Sequence, residues 1–232
     1  MEALIRDILG ASTPLTRKAL EGALYPLLPD LLTPEPALVD ACLSSYGRRA
    51  APGQWALREE DREPRRDVEW RRVLRNLILI GRELGLKVWL VPTLRDEGKA
   101  EGRLGHLLQE EEMRWNPLLP CAFDILWREG DKVTNAFLVT WHAQITALLL
   151  SEAEIGGSAE PYVVLPERRA PLTRFKLQRI PPPEDWRWSF VQWEALERLM
   201  ERGAMTWEDW RSAAGLEAIR ERGKDHPRLF ES

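Results

Sequence analysis

The chain has 232 residues, of which 44% are hydrophobic and 30% are charged, and its formal net charge is −4. These values are ordinary for a globular protein and exclude a chain that is disordered throughout. They also give no overall basic character of the kind that marks many nucleic-acid-binding proteins. The length suits one large domain or two small ones, and we favour two.

Neither a membrane segment nor a zinc site is indicated. No apolar run approaches the roughly 18–20 residues that span a bilayer, and acidic residues interrupt the apolar pattern of the first ten residues, so we expect a cytoplasmic protein. The two cysteines, Cys42 and Cys121, lie in apolar surroundings and are interpreted as small buried residues. The three histidines have no spacing typical of zinc ligands.

The first sixty residues predict three helices followed by a small hairpin. Apolar residues recur with helical spacing over residues 2–9 and again over residues 15–24. In "TPEPALVDACLSSYG", Thr33 is a natural N-cap of a third helix and Gly47 a natural C-terminal cap. The stretch "RRAAPGQWALRE" then predicts two strands joined by a turn at Pro52–Gly53.

This order of elements resembles the winged-helix family over about residues 1–60. The resemblance implies that, in members that bind DNA, the third helix enters the major groove and the wing contacts phosphate. The third helix here carries Glu35 and Asp40 but no Arg or Lys, and residues 1–61 contain six basic and nine acidic residues, a net charge of −3. We therefore keep two hypotheses: protein contact or a spacer role, and DNA binding that involves the wing residues Arg48 and Arg49.

The remaining sequence predicts a mixed sheet flanked by helices. A long amphipathic helix keeps a 3.6-residue period from Val68 to Leu84, and Gly85 ends it. It is followed by the strand "KVWLVP", one short helix predicted within 103–115, and two strands around a charged turn. Next come the helix "QITALLLSEAEI", the strand "YVVLP", the basic helix "PLTRFKLQRI" and the strand "WSFVQW". Such an order is typical of an α/β domain.

That order also resembles the restriction-endonuclease-like, or PD-(D/E)xK, superfamily over about residues 67–193. The strings that carry the resemblance are "IGRELGLKVWLV", "FDILWREGDKVTNAFLVTWHAQITALLL" and "YVVLPERRAPLTRFKLQR". The expected fold class is therefore α/β with two domains and an extension. We place a winged-helix-like helical domain at 1–61, a mixed-sheet restriction-endonuclease-like domain at 62–200, and a C-terminal helical extension at 201–232.

The resemblance implies a magnesium site on the hairpin of residues 121–144. In the family, an Asp on the first strand and a Glu on the second bind the metal, and a Lys two residues later helps to activate water. Side chains separated by one residue on a strand point to the same face, so this spacing is a geometric requirement. Asp124 matches the first acid, but Leu138 and Thr140 replace the second acid and the lysine. Leucine supplies no oxygen and threonine is not a base near neutral pH, so we interpret the catalytic face as lost.

Some alternatives for the catalytic site stay open. His142 lies on the same face as Thr140 and is a candidate base. A displaced metal site would exist if Glu129 or Asp131 were the first acid, or if Glu110–Glu112 folded over the sheet, although a turn and a solvated face explain those residues more simply. We expect no cofactor, with magnesium required only under the nuclease hypothesis.

A local basic patch makes a nucleic-acid-associated role the leading hypothesis. Between Pro166 and Ile180 there are five basic residues and one acid, which favours either phosphate contacts or a solvated helix face. The basic residues are Arg168, Arg169, Arg174, Lys176 and Arg179. The function predicted first is a non-catalytic, degenerate nuclease-like subunit of a bacterial restriction, defence or DNA-processing assembly.

Two other functions remain as alternatives. The chain has eleven tryptophans, most of which we interpret as packing residues. A surface containing Met205, Trp207 and Trp210 would suit a protein-interaction or dimerisation subunit that binds no nucleic acid, because Trp is favoured at interfaces. Packing of these residues against the sheet is the equal alternative. The last alternative is a metal-dependent nuclease with a migrated site.

Overall fold

A computed structural model gives the fold of most of the chain. It describes residues 1–11, 13–28, 33–63, 65–95, 104–114, 123–143, 159–179, 188–203 and 205–214. The chain divides into two compact units. Unit 1 consists of Met1–Glu69 and Arg168–Pro181, and unit 2 of Trp70–Glu167 and Pro182–Ser232. No helix within the described ranges is both long enough and apolar enough to cross a membrane.

The N-terminal part of unit 1 contains three helices and a three-stranded antiparallel sheet. In chain order the elements are α1 (Glu2–Ala11), β1 (Leu15–Thr16), α2 (Arg17–Leu24), α3 (Pro36–Tyr46), β2 (Gly47–Ala51) and β3 (Gln54–Leu57). The sheet has the order β1-β3-β2. The predicted helices and hairpin are confirmed, while the two-residue strand β1 was not predicted, because two residues are too few to show an alternating pattern.

The start of α3 differs from the prediction. The residue before the first helical turn is Glu35, not Thr33, and its side chain makes no capping hydrogen bond. Pro36 occupies the first turn of the helix, where its missing N–H costs nothing. Gly47 does follow the last residue of α3, as predicted, but its backbone is extended with φ −92°.

Two glycines shape the β2–β3 hairpin, Gly53 at its turn and Gly47 at its open end. Gly53 has φ 70°, a conformation that favours glycine and closes the predicted turn. A Cβ atom at Gly47 would lie 2.7 Å from the carbonyl oxygen of Leu43 and 2.9 Å from the ring of Trp55. Gly47 therefore allows the indole of Trp55 to lie directly against the start of β2.

Unit 1 is completed by a helix that is distant in sequence, α7 (Ala170–Arg179), which packs against α3. Leu172 and Thr173 of this helix are fully buried. The sequence placed α7 in the domain 62–200, whereas the structure assigns Arg168–Pro181 to the same unit as residues 1–69. The contacts of its charged residues, described below, explain this difference.

Unit 2 is built around a five-stranded mixed sheet. Its helices are most of α4 (Arg65–Glu83), α5 (Pro92–Arg95), α6 (Glu110–Arg114), α8 (Trp193–Glu201) and α9 (Trp207–Ala213). Its strands are β4 (Lys87–Leu90), β5 (Ile125–Glu129), β6 (Lys132–Val139), β7 (Glu160–Leu165) and β8 (Ser189–Gln192). They are ordered β4-β5-β6-β7-β8. The first three strands are antiparallel neighbours, and β6, β7 and β8 are parallel. The predicted mixed α/β sheet is confirmed, while the helix predicted from "QITALLLSEAEI" and Cys121 fall outside the described residues.

An aromatic cluster fills the core of unit 2. The indole N–H of Trp127 donates to the carbonyl oxygen of Leu77 at 3.1 Å, which joins β5 to α4. The ring of Trp127 lies 4.4 Å from Phe137 and 4.8 Å from Trp210, measured between centroids. Because Trp210 belongs to α9 and is only 1% exposed, this part of the predicted C-terminal extension is integral to the core of unit 2.

Candidate functional site

The carboxylate of Asp124 accepts a backbone hydrogen bond at the end of the β5–β6 hairpin. The residue immediately precedes the first pair of the β5–β6 ladder, Ile125 with Phe137. Its oxygen Oδ2 accepts a hydrogen bond from the backbone N–H of Val139 at 2.7 Å. Burial raises the pKa of Asp124 to about 6, although the hydrogen bond from Val139 acts in the opposite direction. The side chain therefore fastens the end of β6 to the start of β5.

Leu138 and Thr140, the residues predicted to stand in place of a second acid and a lysine, flank Val139 at the end of β6. Leu138 is half-buried and directly precedes Val139, the residue bonded to Asp124. The hydroxyl of Thr140 accepts from the backbone N–H of His142 at 3.1 Å and donates to its carbonyl oxygen at 3.2 Å. Thr140 and His142 thus form a local turn at the end of β6.

The magnesium site implied by the resemblance does not fit these residues. Mg²⁺ requires several oxygen ligands in near-octahedral geometry. One carboxylate oxygen of Asp124 is held by Val139, Leu138 has no oxygen to give, and the hydroxyl of Thr140 is engaged in a turn. Within the part of the chain that the structure describes, no three His, Cys, Asp or Glu residues are grouped to hold a metal ion.

The candidate acids of a displaced site have other positions. Glu129 and Asp131 are exposed at the hairpin turn. Glu112 is 2% exposed, accepts hydrogen bonds from the backbone N–H groups of Val88 and Gln109, and pairs with Arg82 at 2.6 Å. Since β4 is an edge strand, the carboxylate of Glu112 satisfies one of its open backbone donors.

Two of the predicted phosphate-binding residues are enclosed in unit 1. Arg169 is 0% exposed, pairs with the buried Asp61, donates to the carbonyl oxygen of Ser45, and lies 3.6 Å over the ring of Tyr46. Arg168 pairs with Glu69 at 3.1 Å and with Asp61 at 3.5 Å. Phosphate cannot reach the guanidinium of Arg169 without breaking these contacts, so its position supports a structural role in place of the predicted one.

The other cations of α7 are graded by exposure. Lys176 pairs with Glu2 at 2.8 Å, and the two side chains are 20% and 16% exposed. Arg179 pairs with Glu35 on the surface, where the side chains are 59% and 43% exposed. Arg174 is half-buried. Of the residues predicted on this helix, Arg179 is therefore the most accessible to a phosphate.

Helix α7 changes the charge of the N-terminal unit. Residues 1–61 alone have a net charge of −3, but unit 1 as a whole contains 14 basic and 12 acidic residues, a net charge of +2. Unit 2 contains 19 basic and 25 acidic residues, a net charge of −6. Any attraction to a polyanion is consequently expected at unit 1.

The wing residues Arg48 and Arg49 are both exposed. The guanidinium of Arg49 lies 5.5 Å from the ring centroid of Trp55, its cross-strand neighbour, which holds it by a cation–π contact. Arg48 pairs loosely with Glu59 at 3.7 Å, and both side chains are about half exposed. Arg48 and Arg49 of the β2–β3 hairpin are therefore both accessible.

An open cavity of about 400 Å³ in unit 1 was missed by sequence reasoning. It is lined by three arginines, three acids, a leucine and a glycine: Arg6, Arg62, Arg66, Asp7, Asp61, Glu63, Leu57 and Gly10. The four-residue spacing of Arg62 and Arg66 indicates one helical face, but nothing in the sequence brings Arg6 beside them.

Comparison with known proteins adds no relative to this description. No family model matches the chain, and neither the curated proteins nor the solved structures contain a match. The function is therefore argued from the geometry of the chain itself.

Proposed function

We propose that this chain is a non-catalytic accessory protein that associates with nucleic acid, and that its mixed sheet serves as a scaffold. The observation that carries the proposal is the carboxylate of Asp124, which bonds the backbone of Val139 where a nuclease would direct it at a metal. With Leu138 beside it, this position lacks the oxygen ligands that phosphodiester hydrolysis by a two-acid site requires.

The order of elements supports the two family resemblances within this proposal. From α4 to β7, unit 2 runs helix, strand, the short helices α5 and α6, two further antiparallel strands, and then β7, which is parallel to β6. The helix that the restriction-endonuclease-like pattern has between its third and fourth strands falls outside the described residues. Unit 1 runs α1-β1-α2-α3-β2-β3, and β3 is the central strand, which suits a winged helix. We propose a cytoplasmic subunit of a bacterial restriction, defence or DNA-processing assembly.

Nucleic acid is proposed to contact the wing in preference to α3. Helix α3 carries Asp40, follows Glu35 and has no Arg or Lys of its own with which to contact phosphate. Arg48 and Arg49 lie on the exposed strand β2 of a unit with a net charge of +2. Contacts from such residues give affinity without sequence choice and weaken as salt rises.

A salt series tests this proposal. The full chain is titrated into fluorescent duplex and single-stranded DNA of about 20 nucleotides, and the affinity is measured by anisotropy between about 50 and 200 mM salt. We expect a steep loss of affinity with salt, and at least about tenfold weaker binding for the double variant Arg48→Glu, Arg49→Glu. The control, Arg75→Glu with Lys132→Glu, makes the same charge change on exposed residues of unit 2. Binding that ignores salt, or equal losses in both variants, would contradict the proposal.

A cleavage assay separates this proposal from a nuclease with a migrated site. The chain is incubated with duplex and single-stranded DNA in Mg²⁺ or Mn²⁺, with Asp124→Ala as the control. We expect no cleavage by either protein. Metal-dependent cutting that disappears in Asp124→Ala would overturn the non-catalytic part of the proposal.

A protein-interaction or dimerisation subunit is the second candidate. Exposed apolar residues favour it: Tyr25 and Leu27 after α2 are 40% and 54% exposed, and Trp207 is 37% exposed. Of the predicted tail surface, Trp210 is buried and unavailable. Light scattering across a concentration series detects a dimer, and an interaction subunit is expected to show no salt-sensitive affinity for DNA.

A further inference from the structure

We infer that the cavity of unit 1 lined by Arg6, Arg62 and Arg66 is a second phosphate-binding site, which takes a backbone phosphate of the strand that contacts the wing. This inference rests on the proposed function and adds to it a site away from the hairpin.

One carboxylate, that of Glu59, lies within ion-pair distance of an arginine of the wing and of an arginine of the cavity. Oxygen Oε1 of Glu59 lies 3.7 Å from Nη2 of Arg48 on the wing and 3.4 Å from Nε of Arg62 at the cavity. Successive phosphates on a strand are spaced by one nucleotide, so a ligand that reaches Arg48 has a neighbouring phosphate available for Arg62. The two cations flank Glu59 and can bind separate phosphates of the same strand.

The arginines of the cavity have partners that an anion can displace. Arg6 and Arg66 are 23% and 22% exposed, and they line the wall of the cavity. Among their contacts, Arg6 pairs with Asp7 and Arg66 with Glu63, and these two carboxylates are 64% and 68% exposed. Ion pairs at such exposure contribute only about 0–1 kcal/mol, whereas a guanidinium binds phosphate through two parallel, charge-assisted hydrogen bonds. Phosphate is thus expected to replace a solvated carboxylate at little cost.

The third acid of the cavity does not prevent anion binding. Asp61 is 4% exposed and lines the cavity, but it is paired with Arg169 and lies 3.5 Å from Arg168. These two guanidinium groups balance its charge. The remaining charged residues of the lining are three arginines and two carboxylates, Asp7 and Glu63, a net charge of +1.

The size and lining of the cavity favour a sugar-phosphate unit. Its volume of about 400 Å³ lies within the roughly 300–1,000 Å³ that is typical of small-ligand sites. Leu57 and Gly10 supply an apolar part of the wall, against which a sugar ring can pack. No aromatic side chain lines it, so base stacking has no platform there and sequence selectivity is not expected.

The first test removes the positive charge of the cavity. Affinity for single-stranded DNA of about 20 nucleotides is compared between wild type and the double variant Arg62→Gln, Arg66→Gln. We expect about tenfold weaker binding and a salt slope reduced by about 1–2. The control, Arg65→Gln with Arg75→Gln, removes two exposed charges from α4 outside the cavity and is expected to change affinity less than about threefold. Equal losses in the two variants would overturn the inference.

The second test is expected to increase the affinity for DNA, so its result cannot be explained by a loss of protein stability. The variant Asp7→Asn, Glu63→Gln removes the competing carboxylates, and we expect binding to tighten by about three- to tenfold. A purely structural role for these ion pairs predicts no gain, so unchanged or weaker binding counts against the site. If the first double variant does not fold, this result together with the single variant Arg62→Gln decides the inference.

The outcomes separate this inference from the proposed function. If Arg48→Glu, Arg49→Glu weakens binding while both cavity variants behave as wild type, the inference is wrong and the proposed function stands. If wild type shows no salt-sensitive affinity for nucleic acid, both are wrong. Inorganic pyrophosphate is the competitor that identifies the ligand: displacement of DNA from wild type, and not from Arg62→Gln, Arg66→Gln, supports recognition of the phosphate group itself.

Discussion

The two hairpins of this chain treat charge in opposite ways. On β2–β3 of unit 1, Arg48 and Arg49 are exposed and have loose partners. On β5–β6 of unit 2, the acid Asp124 is withdrawn into the sheet and bonded to Val139. The difference teaches that residue type alone does not define a site, because burial and bonding decide whether a charged group is available to a ligand.

The same contrast holds between the cations of unit 1. Arg169 and Asp61 are both buried, whereas Arg66 is paired with a carboxylate that is 68% exposed. The first pair is difficult to disturb and holds α7 in place, and the second is open to exchange. Four variants test these contrasts between the two hairpins and between the buried and exposed ion pairs. They are given in order of decreasing effect on the free energy of unfolding.

Asp61→Ala is expected to have the largest effect. It leaves the guanidinium of Arg169 buried without its carboxylate, which costs about 3–5 kcal/mol for a buried pair. Urea unfolding measures the loss. The control Asp7→Ala removes an exposed carboxylate and is expected to change stability by less than about 0.5 kcal/mol. Comparable losses in the two variants would remove the distinction between buried and exposed pairs.

Asp124→Asn tests the withdrawn acid through its pH dependence. The folded pKa of about 6 lies above the ordinary value of 3.8, so the stability that the protonated carboxyl contributes is fully present below about pH 4 and is lost as pH rises through 6. Asparagine carries no charge and can still accept the hydrogen bond from Val139. We expect the variant to match wild type near pH 4 and to exceed it by about 3 kcal/mol above pH 7. Thermal unfolding across this range gives the curve, and a wild-type protein that gains stability as pH rises from 4 to 6 would argue against a buried neutral carboxyl.

Gly47→Ala tests the close packing of Trp55 at the open end of the β2–β3 hairpin. The added methyl group would lie 2.7 Å from the oxygen of Leu43 and against the ring of Trp55, and such overpacking costs about 1–3 kcal/mol. Gly22→Ala is the matched control, because its added atom would meet nothing within 4 Å and alanine favours the helix. The melting temperature should therefore fall in Gly47→Ala and rise in Gly22→Ala. A rise in both variants would show that Trp55 moves freely.

Arg179→Ala is expected to have the smallest effect on stability. Its pair with Glu35 is exposed, so removing it should change the free energy of unfolding by less than about 0.5 kcal/mol. Lys176→Ala, whose pair with Glu2 is only 20% and 16% exposed, is expected to cost more. Urea unfolding gives the free energy of unfolding of the two variants. A larger loss in Arg179→Ala than in Lys176→Ala would mean that exposure does not determine how much the ion pairs of α7 contribute to stability.

The elements that sequence predicted well are those with local signals. The Pro52–Gly53 turn, the period of α4 and the apolar strands of unit 2 depend on neighbouring residues, and the structure contains all of them. The β5–β6 hairpin also pairs Asp124 with the end of β6, since its carboxylate accepts from the backbone N–H of Val139.

What sequence could not supply is long-range. Arg169 and Asp61 are separated by 108 positions, and a basic helix beside a proline-rich break gives no sign of an acidic partner so far away. For the same reason the sequence did not decide between surface and core for Trp210, and it gave no sign that the three arginines of the cavity, which come from two distant segments, lie together. The burial of a charged side chain can be predicted only when the fold shows which opposite charge lies beside it.

Because unit 1 is assembled from two separate stretches of chain, its folding is tied to the order of synthesis. Residues 1–69 leave the ribosome well before Arg168–Pro181 exist. At about 5–20 residues per second, translation of the intervening segment takes roughly 5–20 seconds. During that interval Ser45, Tyr46 and Asp61 have no Arg169 to contact. The N-terminal stretch therefore stays incompletely packed until α7, which follows the fourth strand of the larger sheet in the chain, has been synthesised.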